Sequence, residues 1–163
     1  AAVPQNRALC PETHALLARI PCAYNAFLSV LEPGQHIAAH FGYYKGLVRY
    51  HLGVEIPNDN ADRLCWIRIN FDPEDNARRD RRLIENGHKR YWRNGRSFMF
   101  DDTYLHDACN GSDAVRVVLF VDVVRKLPAP LAWFNALCLA AAYGLEPALR
   151  GMARAGAVPT TPT

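Results

Sequence analysis

The sequence predicts a mainly β protein, an antiparallel sandwich or barrel of the jelly-roll kind. Between residues 24 and 124, short segments of strand character recur, with Gly, Pro, Asn and Asp clusters between them. Helical spacing is confined to the two ends of the chain. At 163 residues the chain has the size of one domain and can bury a core unaided. Residues 1–150 are expected to form that domain. Residues 151–163, rich in small residues, proline and threonine, are expected to be a disordered tail.

The net charge of +3, from 19 basic and 16 acidic residues, is too small to argue for a nucleic-acid partner. Cys10, Cys22, Cys65, Cys109 and Cys138 show no close pairing and are odd in number, which favours reduced thiols and a cytoplasmic location. The opening residues do not read as a secretory signal.

Ala8 to Ile20 predicts a short amphipathic helix, with Pro11 tolerated in a first turn and Leu16, Leu17 and Ile20 at helical spacing. Tyr24 to Leu31 alternates and is a strand that carries Ser29. Pro33-Gly34 marks a turn. Leu47 to Val54 is extended, with Val48, Tyr50, Leu52 and Val54 on one face and Leu47, Arg49, His51 and Gly53 on the other. An arginine and a histidine facing a barrel interior need an anion, a metal or each other to offset desolvation.

Asn58 to Asp62 reads as a loop and Leu64 to Asn70 as a strand with Cys65, Ile67 and Ile69 on one face. Asp72 to Arg96 is a basic excursion, read as a solvated face or as a mobile lid that attracts an anionic substrate. Ser97 to Asp101 and Ala114 to Val124 are strands, the latter the most strand-like segment of the chain. Leu127 to Leu149 predicts a helix docked on the barrel, with contact to a membrane surface or a second copy as the other expectation.

Any one histidine is more often a packed residue than a ligand. Taken together, His36, His40, His51 and His106, with carboxylates beside the last, supply the usual ligands of a divalent transition metal. There is no H-E-x-x-H helix, so the site must be assembled from different strands. A facial triad would need a carboxylate two residues after His40, where Gly42 stands. On the residues alone, metal binding stays one reading among several.

HIAAHFGYYKGLVRYHLGVEIP, FDDTYLHDACN and VRVVLFVDVVRKLP closely resemble the aspartyl/asparaginyl β-hydroxylase family. The likeness runs from about Ser29 to Pro128, in the family's order, and the flanks CPETHALLARIP and HLGVEIPNDN also resemble the bacterial lipid A hydroxylase branch. The resemblance implies a double-stranded β-helix and a dioxygenase that uses Fe(II), 2-oxoglutarate and dioxygen. It implies that His40 and His106 bind the metal and that Ser29, Arg49, His51 and Arg116 hold 2-oxoglutarate. Asp102, four residues before His106, is then expected to orient a metal-bound water in place of the missing ligand.

Gly42 matches the eukaryotic peptidyl hydroxylases, whereas the lipid A branch carries aspartate there. The implied reaction is hydroxylation of an unactivated C–H bond, foremost the β-carbon of Asp or Asn in a peptide. A lipid acyl chain, a small metabolite, or a non-catalytic ligand-binding jelly roll are the alternatives. For Arg116, the competing assignment is an internal ion pair with Asp122, which the alternation puts on the same face.

Overall fold

The computed structural model describes residues 4–20 and 22–145. The expected tail, 151–163, lies outside them. The chain divides into two compact units, Tyr24–Val124 and the flanks to either side. In the flanks, helix α1 (Pro4–Leu9) and helix α2 (Pro11–Ala18) replace the single predicted helix. Pro11 opens α2 and Cys10 is its cap residue, so the chain breaks between the two. Helix α4 (Ala129–Leu145) carries no charge, and no described helix is long and apolar enough to cross a membrane.

The central unit is a jelly roll of two four-stranded sheets, the double-stranded β-helix implied by the resemblance. Its strands are β1 (Ala23–Leu31), β2 (His36–His40), β3 (Leu47–Glu55), β4 (Cys65–Ile69), β5 (His88–Tyr91), β6 (Ser97–Phe100), β7 (His106–Asn110) and β8 (Arg116–Val124). One sheet runs β1-β8-β3-β6 and the other β2-β7-β4-β5. The predicted strands appear close to their expected bounds. Strand β7 was not expected, because its polar residues HDACN lack the alternation of a half-buried strand.

Turns follow the sequence cues. The Gln35 amide donates to the Glu32 carbonyl, with Pro33 and a left-handed Gly34 (φ 70°) between them, the pattern of a type II turn. The basic excursion is built structure. Pro73 opens helix α3 (Pro73–Arg78), and the Asp72 carboxylate accepts from the amides of Glu74 and Asp75. Asn76 then bridges the Asn70 and Asp72 carbonyls and accepts from the Leu105 amide. Exposed His88, Lys89, Arg90 and Tyr91 form the outer strand, where charge discourages further pairing.

The core lies between the sheets. Cys65, Ile67 and Ile69 of β4 are buried as the alternation predicted, and they join Ile56, Trp92, Phe100, Ala108 and Val118. The backbone after Trp92 closes tightly on β3. Gly53 donates to Arg96 O, accepts from Gly95 N, and leaves no room for a Cβ, which would collide with Arg93 O. All five cysteines are free thiols.

Candidate functional site

The polar face of β3 is the inner one. Arg49 lies opposite Asp122 of β8 and Phe100 of β6, and His51 lies opposite Phe120 and Phe98. Strand β1 extends these rows, with Asn25 donating to Asp122, Phe27 against Phe120, and Ser29 accepting from Arg116. The predicted Ser29, Arg49, His51 and Arg116 therefore share one inner face.

The two predicted metal residues meet across the other sheet. His40 and His106 are register partners on β2 and β7, with ring centroids 4.1 Å apart. Ile37 and His40 are three residues apart, yet both pair with inward residues of β7. An irregularity between them re-aims the histidine, as β-bulges do beside functional sites. Each ring is oriented by its own backbone. His40 Nδ1 lies 2.9 Å from Ala38 O, and His106 Nδ1 lies 2.8 Å from Tyr104 O. A carbonyl only accepts, so both Nδ1 atoms carry a proton, and in the neutral ring the lone pair is on Nε2. Burial pushes His106 down to about 4, so its ring is neutral at pH 7. Two imidazoles, each oriented by its own backbone, fit a divalent transition metal.

His36 does not belong with them. It pairs with Cys109 on the opposite face of β7, and its Nε2 lies 2.9 Å from the buried Asp107 carboxylate. His51 also stands apart from the pair, stacked on Phe120 at 3.8 Å. Among the described residues no group of three or more His, Cys, Asp or Glu could hold a metal.

Gly42 is explained by Asp102. The Gly42 amide donates to Asp102 O at 2.7 Å, and a Cβ on Gly42 would lie 2.6 Å from the Asp102 carboxylate. The space of a side chain at position 42 is thus taken by Asp102. An aspartate there, the third ligand of a facial triad, would have to displace it. Arg49 holds Asp102 by an ion pair of 3.2 Å and Asp122 by one of 3.0 Å. Burial raises the Asp102 pKa and Arg49 opposes the rise.

Asp122 is therefore committed to Arg49, and the alternative ion pair with Arg116 does not form. Arg116 is 0% exposed, and it donates from Nη1 to Ser29 at 3.3 Å (Oγ) and 3.4 Å (O). Its Nε and Nη2 have no partner, nor do His51 Nδ1 and Nε2 or Trp92 Nε1. Burial lowers Arg116 to about 10, so it stays charged at pH 7. Burial, then Arg49, Arg116 and His106, drives His51 down to about 2, so it stays neutral. A buried cation without a counter-ion is costly, and a carboxylate would satisfy both open guanidinium positions at once.

Asp107 and Asn110 are among the buried polar residues that the sequence does not single out. Asp107 is bound by Arg68 at 2.9 and 3.1 Å as well as by His36, a network spread over three strands. Asn110 donates to the carbonyls of Leu31, Glu32 and Ala114 and so locks the turns at one end of the barrel. Neither has a local sequence signal beyond polarity.

The model of the family described as aspartyl/asparaginyl beta-hydroxylase matches residues 1–126. Ornithine lipid ester-linked acyl 2-hydroxylase from Rhizobium tropici is 39% identical over 131 residues, 80% of this chain and 40% of that protein. Aspartate beta-hydroxylase domain-containing protein 2 from Homo sapiens is 32% identical over 130 residues, 74% of this chain and 30% of that protein. The chain thus spans well under half the length of these relatives. A double-stranded beta-helix protein from Klebsiella pneumoniae aligns with TM-score 0.41 and 13% identity, over 61% of this chain and 65% of that one. The likeness to a lipid hydroxylase branch is matched by an ornithine lipid enzyme. The chain belongs to the aspartyl/asparaginyl β-hydroxylase family.

Proposed function

We propose that this chain is the oxygenase domain of an Fe(II)- and 2-oxoglutarate-dependent hydroxylase. The observation that carries the reading is the pairing of two inner sites. One is a histidine pair with both rings oriented through Nδ1, and the other is a buried, charged Arg116 with two open donors. His40 and His106 would hold the metal. Arg116, Ser29 and neutral His51 would hold the 2-oxoglutarate dianion. When bound, iron with 2-oxoglutarate supplies the oxidising chemistry, in which decarboxylation of the co-substrate accompanies insertion of one oxygen atom into a C–H bond.

The chain's own residues supply order. The backbone carbonyls of Ala38 and Tyr104 fix both imidazole tautomers before any metal arrives. Arg49, held between Asp122 and Asp102, fixes the Asp102 carboxylate beside Gly42. Asp102 would orient what binds on that side of the histidine pair. Phe98, Phe100 and Phe120 around His51 keep water from the co-substrate chamber, which strengthens every charge interaction inside it.

The substrate is a molecule with a C–H bond next to a carbonyl group. The β-carbon of aspartate and the second carbon of an ester-linked acyl chain share that feature, and relatives of both kinds match this chain. The lipid reading has the higher identity in its favour, 39% against 32%. Gly42 favours the peptide reading through its resemblance to the peptidyl hydroxylases. The test is to incubate the Fe(II)-reconstituted protein with dioxygen and either an ornithine-lipid extract or Asp- and Asn-containing peptides. The expected result is a product heavier by one oxygen atom that requires 2-oxoglutarate. Anaerobic Fe(II) with 2-oxoglutarate should also give a visible charge-transfer band, which a non-catalytic jelly roll with a zinc-filled or vacant site would lack.

A further inference from the structure

We propose that the indole N–H of Trp92 donates directly to the distal carboxylate of the co-substrate, as a third donor beside Arg116 and His51. The inference rests on the 2-oxoglutarate reading above and adds a residue to it. Trp92 is 1% exposed, and its Nε1 has no partner. The Arg116 guanidinium lies over its ring, with Cζ 4.6 Å from the centroid, and the His51 ring centroid lies 5.9 Å away at an interplanar angle of 27°. Among the described residues, the five unpartnered buried side-chain atoms thus belong to three residues that adjoin one another.

The balance of donors and acceptors says what belongs there. The open guanidinium atoms bring three N–H hydrogens, the indole one, and the neutral imidazole one donor and one lone pair. Donors greatly outnumber acceptors, so the ligand must be rich in acceptors and negatively charged. A carboxylate, with two oxygens and no hydrogen, has that character. The nearby inner-face acids cannot serve, since Arg49 holds both Asp102 and Asp122.

Packing holds the Trp92 ring in place: it is 1% exposed and stacked among His51, Phe98 and the Arg116 guanidinium. Its carbonyl accepts from Asn60 Nδ2 at 3.0 Å, and the following backbone is strapped to Gly53. For packing alone, phenylalanine would fill an apolar core without stranding a donor that costs free energy when unpaired. The indole nitrogen is accounted for once a carboxylate sits against it.

The sequence holds three tryptophans, so the Zn(II)-loaded protein labelled with 15N-tryptophan gives three indole signals, from Trp66, Trp92 and Trp133. Trp66→Phe and Trp133→Phe assign the Trp92 signal by elimination, without altering Trp92. On titration with 2-oxoglutarate, the Trp92 N–H is expected to shift downfield and exchange more slowly with solvent, while the other two stay still. 2-Oxobutyrate, which keeps the chelating end and lacks the distal carboxylate, should leave the Trp92 signal in place. Trp92→Phe should weaken 2-oxoglutarate binding, measured by calorimetry, by about tenfold or more, as expected for a hydrogen bond to a charged group. A Trp92 signal unmoved by 2-oxoglutarate that calorimetry shows to be bound would overturn this inference and leave the co-substrate reading standing. Failure of 2-oxoglutarate to bind at all would overturn that reading, and the Trp92 inference with it.

Discussion

Asp107 and Arg116 are both fully buried charges in the same barrel, and their surroundings differ. Asp107 is gripped by Arg68 and by His36, and Arg68 itself reaches Glu85 at 2.6 Å. These bonds push Arg68 well above the usual arginine range. Arg116 has one serine, and its other donors face unpartnered neighbours. The first cluster is complete without a ligand and serves the fold. The second is left with open donors, which on the proposed reading the co-substrate fills.

The largest effects should separate metal from fold. His40→Ala and His106→Ala are each expected to abolish stoichiometric metal binding, measured by metal analysis after Mn(II) loading, because a two-histidine site has no protein ligand to spare. His36→Ala should retain the metal and lose stability instead. Retained metal in either ligand variant would break the assignment of that histidine.

Next come opposite signs at the two buried charges. Asp107→Ala takes the buried carboxylate from Arg68, which keeps only the exposed Glu85, and should cost about 1.5–3 kcal/mol in urea unfolding, with 2-oxoglutarate affinity unchanged in the folded fraction. Arg116→Met removes a charge that has no counter-ion in the ligand-free protein, so unfolding stability should be equal to or above that of the parent. Its 2-oxoglutarate binding should nonetheless be lost. If Arg116→Met destabilised as much as Asp107→Ala, the contrast between the clusters would be mistaken.

Acid should act through the same inner residues. His51 and His106 are held neutral when folded, at about 2 and about 4, whereas an unfolded histidine titrates near 6.5. The unfolded chain therefore binds more protons as pH falls below about 6.5. The metal-free protein should lose up to about 1.4 kcal/mol per pH unit for each histidine, down to about pH 4 for His106 and further for His51. His51→Gln should flatten that slope in unfolding curves taken between about pH 6.5 and 4.

Smaller effects probe the rim. Gly42→Ala should cost about 1–3 kcal/mol, since its Cβ meets the Asp102 carboxylate at 2.6 Å. Reversing the charges of Arg78, Arg79 and Arg81 should raise the apparent KM for an anionic substrate at low salt and change little at high salt. A flat salt response would assign these arginines to a solvated face.

The sequence was most informative where chemistry repeats locally. Alternation placed Arg49 and His51 on one face of β3, and Cys65, Ile67 and Ile69 on one face of β4. Turn residues set the strand ends. Family likeness supplied the choice of His40 over His36, which alternation alone could not make, because the irregularity between Ile37 and His40 reverses the facing. What stayed hidden depends on partners far apart in the chain. Asp107 meets residues 39 and 71 positions away, and Trp92 stacks on an arginine in a strand it does not neighbour in sequence. The expected rival pairing of Arg116 with Asp122 failed for a reason visible only in register, since Arg49 stands directly opposite Asp122.

The most direct test of the central claim is calorimetric titration of 2-oxoglutarate into Mn(II)-loaded parent and Arg116→Ala proteins, with metal content measured separately. Truncating one partner of a desolvated ion pair typically costs about 3–5 kcal/mol, so the variant should keep its metal and bind 2-oxoglutarate at least about a hundredfold more weakly. Near-parental affinity in a folded, metal-loaded Arg116→Ala protein would contradict the account.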